Sequence, residues 1–307
     1  MIKDKEIRDE IKKIASGQVI FDEPMYLHTS MGVGGKTDIL VSPGTVEELQ
    51  HITAYLAGCN IPFLPVGNCT NLIVKDGGYR GAIISLKNLE KIEQEKIQGE
   101  NVYICAEAGT SLSRLIDLSI RESLSGMEFC AGIPGSVGGG IKMNAGAYGR
   151  ELKDIVKEVS LINSDGIVKD IPRDDLQFEY RNLDLPGKSI IVSATFCLLK
   201  GSEEKIKEEV LEILRTRRKK HPLSYRTAGS VFKNPCNMPA GKIIEELGLK
   251  GFQVGDAEIS KIHGNFIVNL GKAKAMDILT LVDTVQKMAL KEKGISLEPE
   301  IKIIGED

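Results

Sequence analysis

The chain has 307 residues, 42% of them hydrophobic and 27% charged, which suits about two soluble globular domains. A net charge of −3 gives no global field for nucleic acid or an anionic membrane, and no apolar run approaches the ~20 residues of a membrane span. The N-terminal run MIKDKEIRDEIKKIASG is charged and lacks the apolar centre of a signal peptide, so a cytoplasmic protein with neither nucleic-acid nor membrane partners is expected.

That same run predicts an amphipathic helix with Ile7, Ile11 and Ile14 on one face. A helix over 46–57 leads into a strand over 61–66, a polar hinge and a short apolar run from Leu72 to Val74. Strands are predicted near 82–86 and 102–106, then a helix over 111–121 capped by Ser111 or Thr110. Strands near 155–162 and 166–171 are joined by Asn163-Ser164-Asp165-Gly166, a strong hairpin signal. A strand over 189–199 is rich in Ile, Val and Thr. A long helix over 202–220 follows, and the change of composition there places a domain boundary near residue 201. The second part holds a helix near 240–247, strands near 258–268, a helix over 273–292 and a final strand over 297–304. The order predicts an α+β protein of two domains, 1–201 and 202–307.

The most informative segment is GIPGSVGGGIKMNAGAYG at 132–149, where seven of eighteen residues are glycine. Such density costs folding entropy and calls for a reason. Pro134 stiffens it, and Ile133, Val137, Ile141 and Met143 anchor it, so it reads as an ordered loop around a bulky, partly anionic ligand. Consecutive N–H groups at Gly138, Gly139 and Gly140 would form an anion-binding nest, with the Asn144 amide beside them. PVGNCTNLIV at 65–74 is a second candidate for backbone donors aimed at a diphosphate, although alone it also reads as an ordinary turn. No G-x-x-x-x-G-K-[ST] is present, and Gly135 to Gly138 lacks the leading strand and following acid of a dinucleotide fingerprint.

The six cysteines form no C-x-x-C pair and the four histidines no metal spacing, so no metal is expected. Cys69 reads as a small structural residue. Ser230 follows Gly229 in an open bend outside any nucleophile motif, and locally a turn hydroxyl explains it. Such a neutral serine donates a proton only to a very strong base, such as a carbanion. Glu298 and Glu300 read as one face of the final strand, which is usually solvated. The basic run RTRRKKH at 215–221 fits a solvated helix end or a grip for phosphates.

Taken together, the hinge at 67–74, the glycine loop, YRN at 180–182, GSVFKNP at 229–235, AGKIIEELGLKG at 240–251, HGNFIVN at 263–269 and LEPEI at 297–301 come in a family order. The chain resembles the UDP-N-acetylenolpyruvoylglucosamine reductases from about Thr29 to its end. The short spacing from YRN to GSVFKNP resembles their second, shorter type. The resemblance implies a two-part FAD-binding domain of the vanillyl-alcohol-oxidase (PCMH) type over 1–201 and a substrate-binding domain over 202–307. It implies non-covalent FAD, NADPH as hydride donor, UDP-N-acetylglucosamine enolpyruvate as substrate and a monomeric protein.

The resemblance also implies roles residue by residue. Gly67, Asn68, Cys69, Thr70 and Asn71 fall at the flavin diphosphate. Ala108, Gly109, Gly132, Pro134 and Gly135 fall in the cofactor site, as do Ser136, Gly139, Gly140, Asn144 and Gly146. Arg181, Ser230 and Glu300 take the catalytic positions, and Lys233 and Asn234 bind substrate. Arg181 and Glu300 would then meet at one substrate carboxylate, where charge builds as hydride arrives. Cys69 stands where serine is usual, Val231 where phenylalanine is common, and Arg226-Thr227 precedes Ala228 where proline is frequent. Two other readings stay open at this point: another flavin oxidoreductase of the same fold, or a flavin-binding protein without catalysis.

Overall fold

A computed structural model describes every residue except Met1, Lys3, Ser164, Asp165, Lys188 and Asn237. The chain packs as two compact units, the first from residues 1–21, 39–68 and 81–216, the second from 22–38, 69–80 and 217–307. By packing, the second unit takes two early segments that a single cut at residue 201 leaves with the first.

In the first unit, helix α1 (Lys5–Ile14) starts at Asp4, whose Oδ1 accepts the Glu6 amide at 2.9 Å. Ile11 is fully buried and Ile7 and Ile14 pack on the same core, the face predicted from their spacing. Helix α2 (Val46–Gly58) is capped by Thr45 and buries Leu49, Ile52 and Leu56. Helix α3 (Leu112–Arg121) buries Leu112, Leu115 and Ile116, and Ser111 is its cap, with Oγ accepting the Arg114 amide at 3.2 Å. Each such aliphatic side chain contributes about 1.5–3 kcal/mol on burial.

Two sheets carry these helices. Phe63–Val66 pairs in parallel with Tyr79–Ser85, Phe63 opposite Ala82. The larger sheet has six strands in antiparallel register. Its order runs Val168–Pro172, Val156–Ile162, Ile190–Lys200, Asn101–Glu107, Ile92–Gln98, with Leu124–Ser125 added beside Ile190–Lys200. The expected hairpin strands do pair, Ile162 opposite Val168, although Ser164 and Asp165 of its turn lie outside the described residues. Ile92–Gln98 escaped the sequence reading because its residues beyond Ile92 are all exposed, so it shows no apolar alternation.

In the second unit, the sheet order is Arg226–Ser230, Phe266–Asn269, Ala257–Ile259, Gln253–Val254, all antiparallel. The strands expected near 258–268 are Ala257–Ile259 and Phe266–Asn269. Ile243 and Ile244 of one helix (Ala240–Glu246) and Ile278, Leu281, Val282 and Val285 of another (Ala275–Lys293) share a core with Val231, Phe232 and Ile267. The longer helix ends at Gly294 in the left-handed region, φ 66°, a usual stop. Asp76 accepts its first amides, Ala275 at 3.0 Å and Met276 at 2.9 Å. The strand expected over 297–304 forms only at Lys302–Ile304, parallel to Leu72–Val74.

Candidate active site

The strand Phe63–Val66 delivers Gly67 against Ser136. A Cβ on Gly67 would stand 2.1 Å from the Ser136 hydroxyl, so only glycine lets the two segments meet. Ser136 is buried and caps a six-residue helix, Val137–Lys142, where an ordered loop was expected. The expected anion nest is corrected as well. The Val137 amide donates to Thr110 O at 2.8 Å, Gly138 to Ala108 O at 2.9 Å and Gly140 to Ser136 O at 2.7 Å. Gly139 N points to the Ser136 hydroxyl at 3.5 Å. These donors close the helix onto its neighbours instead of facing an anion.

The glycines of that helix divide by cause. A Cβ on Gly138 would be 2.8 Å from Ala108 Cβ, and one on Gly140 3.0 Å from Leu152 Cδ1. One on Gly109 would be 2.0 Å from Leu86 O. Protein packing explains all three. Gly139 is different: it is exposed, and a Cβ there would meet only the Ser136 hydroxyl, at an ordinary 3.6 Å. Gly132 and Pro134 are likewise exposed and Gly135 is half-buried. The bare backbone of the glycines is a surface that a flat ring can approach, so the residues present fit a flavin.

Asn144 sits fully buried with φ 40°. Its Nδ2 donates to Glu151 Oε2 and to Glu179 O, both at 2.9 Å, and its Oδ1 accepts from Lys153 N at 3.1 Å. The amide therefore joins three segments of the protein, which corrects its expected place as a polar group facing the ligand. Arg181 ends a two-residue turn between Gln177–Glu179 and Asn182–Asp184, where Glu179 opposes Asn182. Its φ of 59° is uncommon for a residue with a side chain. The guanidinium lies 4.8 Å from the Tyr180 ring centroid, and Nη2 donates to Gly146 O at 3.0 Å. Glu151 Oε1 stands 3.8 Å from Nη1.

In the second unit the structure brings Ser230, Glu300 and Asn71 together through the backbone. Gly229, φ 79°, accompanies a register shift between Thr227 and Ser230, and Ser230 then pairs with Phe266. Past it, Val231 donates to Asn265 O at 2.9 Å and its own carbonyl accepts the Glu300 amide at 2.8 Å. Asn71 Nδ2 donates to Glu300 O at 3.0 Å and Asn71 O accepts the Lys302 amide at 2.9 Å. LEPEI is thus an irregular run, bridged at Pro299 to Phe232, which corrects the reading of Glu298 and Glu300 as neighbours on a strand face. Lys233 Nζ pairs with Glu298 Oε1 at 2.6 Å, and Asn234 Oδ1 accepts the Ala240 amide at 3.0 Å. Thr70 is half-buried beside Asn71. Cys69 has φ 49°, and burial pushes its thiol up to about 11, so it stays a thiol at neutral pH.

Two residues that matter here carried no role in the sequence reading. Asn265 lies in HGNFIVN and clamps Phe232 by both backbone groups, accepting its N–H and donating to its carbonyl, at 2.9 and 2.8 Å. Glu151 lies two residues past the end of the glycine loop. Its position after a dense loop was the one available signal. A cleft of about 520 Å³, lined in part by Thr45, Glu47, Lys91 and Arg114, contains none of the predicted site residues. Among the described residues no cluster of His, Cys, Asp and Glu could hold a metal, and no helix is long and apolar enough to cross a membrane.

Comparison with known proteins gives a consistent picture. Residues 37–171 match a family described as a FAD binding domain, and residues 221–304 match the C-terminal domain of UDP-N-acetylenolpyruvoylglucosamine reductase. The chain is 49% identical over 301 residues to the UDP-N-acetylenolpyruvoylglucosamine reductase of Syntrophus aciditrophicus (strain SB), covering 98% of this chain and 96% of that one. It is 41% identical to that of Caldanaerobacter subterraneus subsp. tengcongensis, covering 97% and 98%. The crystal structure of UDP-N-acetylenolpyruvylglucosamine reductase from Thermus caldophilus superposes with a TM-score of 0.79 at 35% identity, covering 94% of this chain and 98% of that one. The expected fold class, α+β with a FAD-binding domain followed by a C-terminal domain, agrees with these matches.

Proposed function

This chain belongs to the UDP-N-acetylenolpyruvoylglucosamine reductase family, and from that premise we propose that it reduces UDP-N-acetylglucosamine enolpyruvate to UDP-N-acetylmuramate, with NADPH as hydride donor. It is an oxidoreductase with FAD as its cofactor. Residues 1–201 hold the cofactor and 202–307 the substrate. The reading takes the protein as a cytoplasmic monomer supplying peptidoglycan precursor synthesis, and so cell shape and division. The net charge of −3 supports the absence of a nucleic-acid partner.

When bound, FAD supplies two-electron chemistry, accepting hydride from NADPH and passing it to the methylene carbon of the enolpyruvyl group. The chain's own residues do the rest. The bare backbone of Gly132, Gly135 and Gly139, with Pro134 among them, supports the ring, and the hinge at 67–71 supports the diphosphate. Arrival of hydride places negative charge on the carbon beside the substrate carboxylate. Arg181 binds that carboxylate with its planar fork and steadies the growing charge. Ser230 gives its hydroxyl proton to the carbanion, forming the C–H bond, and solvent restores the serine. Glu300, working as a hydrogen-bond donor, holds the extended charge.

The observation that carries this reading is the hydrogen bond from the Glu300 amide to Val231 O, 2.8 Å. It ties two motif residues 69 positions apart in the sequence (231 and 300) to one strand end, next to Ser230. The test separates the half-reactions. Ser230→Ala should leave flavin reduction by NADPH nearly intact and slow reoxidation by the enolpyruvyl substrate. Equal loss in both halves would refute the acid role.

A further inference from the structure

We infer that Glu151 is a positioning residue for Arg181: a carboxylate fixed by Asn144 that orients the guanidinium without occupying its hydrogen-bonding edge. The inference rests on the carboxylate-binding role given to Arg181 above.

The turn fixes the backbone of Arg181, but an arginine side chain retains wide rotamer freedom unless something holds it. Two contacts set its plane, the Tyr180 ring and the Gly146 carbonyl. The Glu151 carboxylate adds charge. At 3.8 Å from Nη1, Oε1 is within ion-pair range yet beyond the 2.7–3.2 Å of an N–H···O bond. It therefore attracts the guanidinium without itself taking an N–H···O bond from Nη1.

A guide has to be rigid itself. Glu151 Oε2 accepts from Asn144 Nδ2 at 2.9 Å and pairs with Lys153 Nζ at 2.5 Å, which leaves Oε1 on the side of Arg181. The side chains of Glu151 and Arg181 are only 17% and 18% exposed, so solvent screens the pair weakly. Asn144 also holds Glu179 O, on the strand that leads into the Arg181 turn. One buried amide thus sets both the carboxylate and the turn that carries the arginine. This accounts for an asparagine at a left-handed, fully buried position where a ligand contact was expected.

The test uses the FAD-loaded full chain and four variants: Glu151→Gln, Glu151→Asp, Arg181→Ala and the double variant Arg181→Ala with Glu151→Gln. Removing the charge should slow reoxidation by the enolpyruvyl substrate about tenfold, with flavin reduction by NADPH changed less than about twofold. Affinity of the oxidised protein for UDP-N-acetylmuramate, read by calorimetry, should change by less than about twofold, because the groups that contact the bound molecule are kept. Glu151→Asp should recover part of the rate. The double variant should be no slower than Arg181→Ala, since Glu151 acts through Arg181. Wild-type reoxidation in Glu151→Gln, or additive loss in the double variant, overturns the inference. If Glu151→Gln fails to retain FAD, Glu151→Asp decides: slowed reoxidation with intact reduction supports it, and a wild-type rate overturns it. A wild-type rate in Arg181→Ala removes the underlying role of Arg181, a failure distinct from that of Glu151 alone.

Discussion

Replacing Gly139 by alanine should stabilise the apoprotein and weaken FAD binding at once. Gly139 is an exposed residue inside the helix Val137–Lys142, and an added Cβ meets only the Ser136 hydroxyl at 3.6 Å. Alanine is favoured over glycine in a helix by about 0.8–1.0 kcal/mol, so the apoprotein should gain up to about 1 kcal/mol. If the bare backbone at Gly139 supports the flavin ring, the same methyl intrudes on that contact. Overpacking of a fitted surface costs about 1–3 kcal/mol, which corresponds to roughly 5- to 150-fold weaker binding. Gly138→Ala is the contrast. Its Cβ would lie 2.8 Å from Ala108 Cβ and 3.3 Å from Ala108 O in a buried position, so the apoprotein itself should lose about 1–3 kcal/mol. Urea unfolding of apoprotein and fluorescence titration with FAD measure the two effects separately. Unchanged FAD affinity in Gly139→Ala would refute the placement of the ring, and a destabilised apoprotein would mean that Gly139 has a packing cause after all.

Other predictions bear on the second unit and on Arg181. Asn265→Ala removes both hydrogen bonds to the buried Phe232 backbone and should cost about 2–6 kcal/mol in urea unfolding, with a loss below about 0.5 kcal/mol counting against the clamp. His221 is held down to about 4 by burial, then by Arg217, His263 and Lys220. The unfolded chain binds that proton near its ordinary 6.5, so stability should be full above about 6.5 and fall as pH drops towards about 4. His221→Gln should flatten the pH dependence of urea midpoints over that window, and an unchanged slope would show that His221 does not set it. Arg181→Lys keeps the charge but loses the fork, so kcat and kcat/KM of the substrate half-reaction should both fall by at least about tenfold. Glu300→Gln should retain more of that rate than Glu300→Ala if the working group donates a hydrogen bond; equal loss would point to an anion.

The sequence reading found the glycine loop as an ordered element, Ser111 as a candidate cap of the helix at 112–121 and the apolar face of the N-terminal helix. It misjudged what the glycines answer to. Gly138 and Gly140 lack side chains because Ala108 and Leu152 crowd them, and Gly67 because Ser136 does. A glycine needed by a neighbouring strand and one needed by a ligand look the same in one dimension. LEPEI was read as a strand because its charges and aliphatics alternate, but Pro299 and the bond from the Glu300 amide to Val231 O set a different path. That path depends on a partner 69 residues away (231 against 300), outside any local window. Glu151 was one of 43 acidic residues until the fold set it against Asn144 and Arg181.

The backbone itself shows why so few residues could stand at these places. Asn144 and Arg181 both adopt left-handed conformations, at φ 40° and 59°, and Gly229 does so one residue before Ser230. Strain of this kind costs about 1–3 kcal/mol at a residue with a side chain and persists only where surrounding contacts over-determine it. For Asn144 those contacts are three side-chain hydrogen bonds, and for Arg181 they are the hairpin pairing, the Tyr180 ring and the Gly146 carbonyl. The position of the guanidinium is thus specified twice, by a turn that admits few conformations and by a buried amide that fixes its counter-charge. A substitution that keeps the arginine but loosens either support should therefore damage the substrate half-reaction while leaving cofactor reduction intact. That split sets apart a residue that orients chemistry from one that only stabilises the fold.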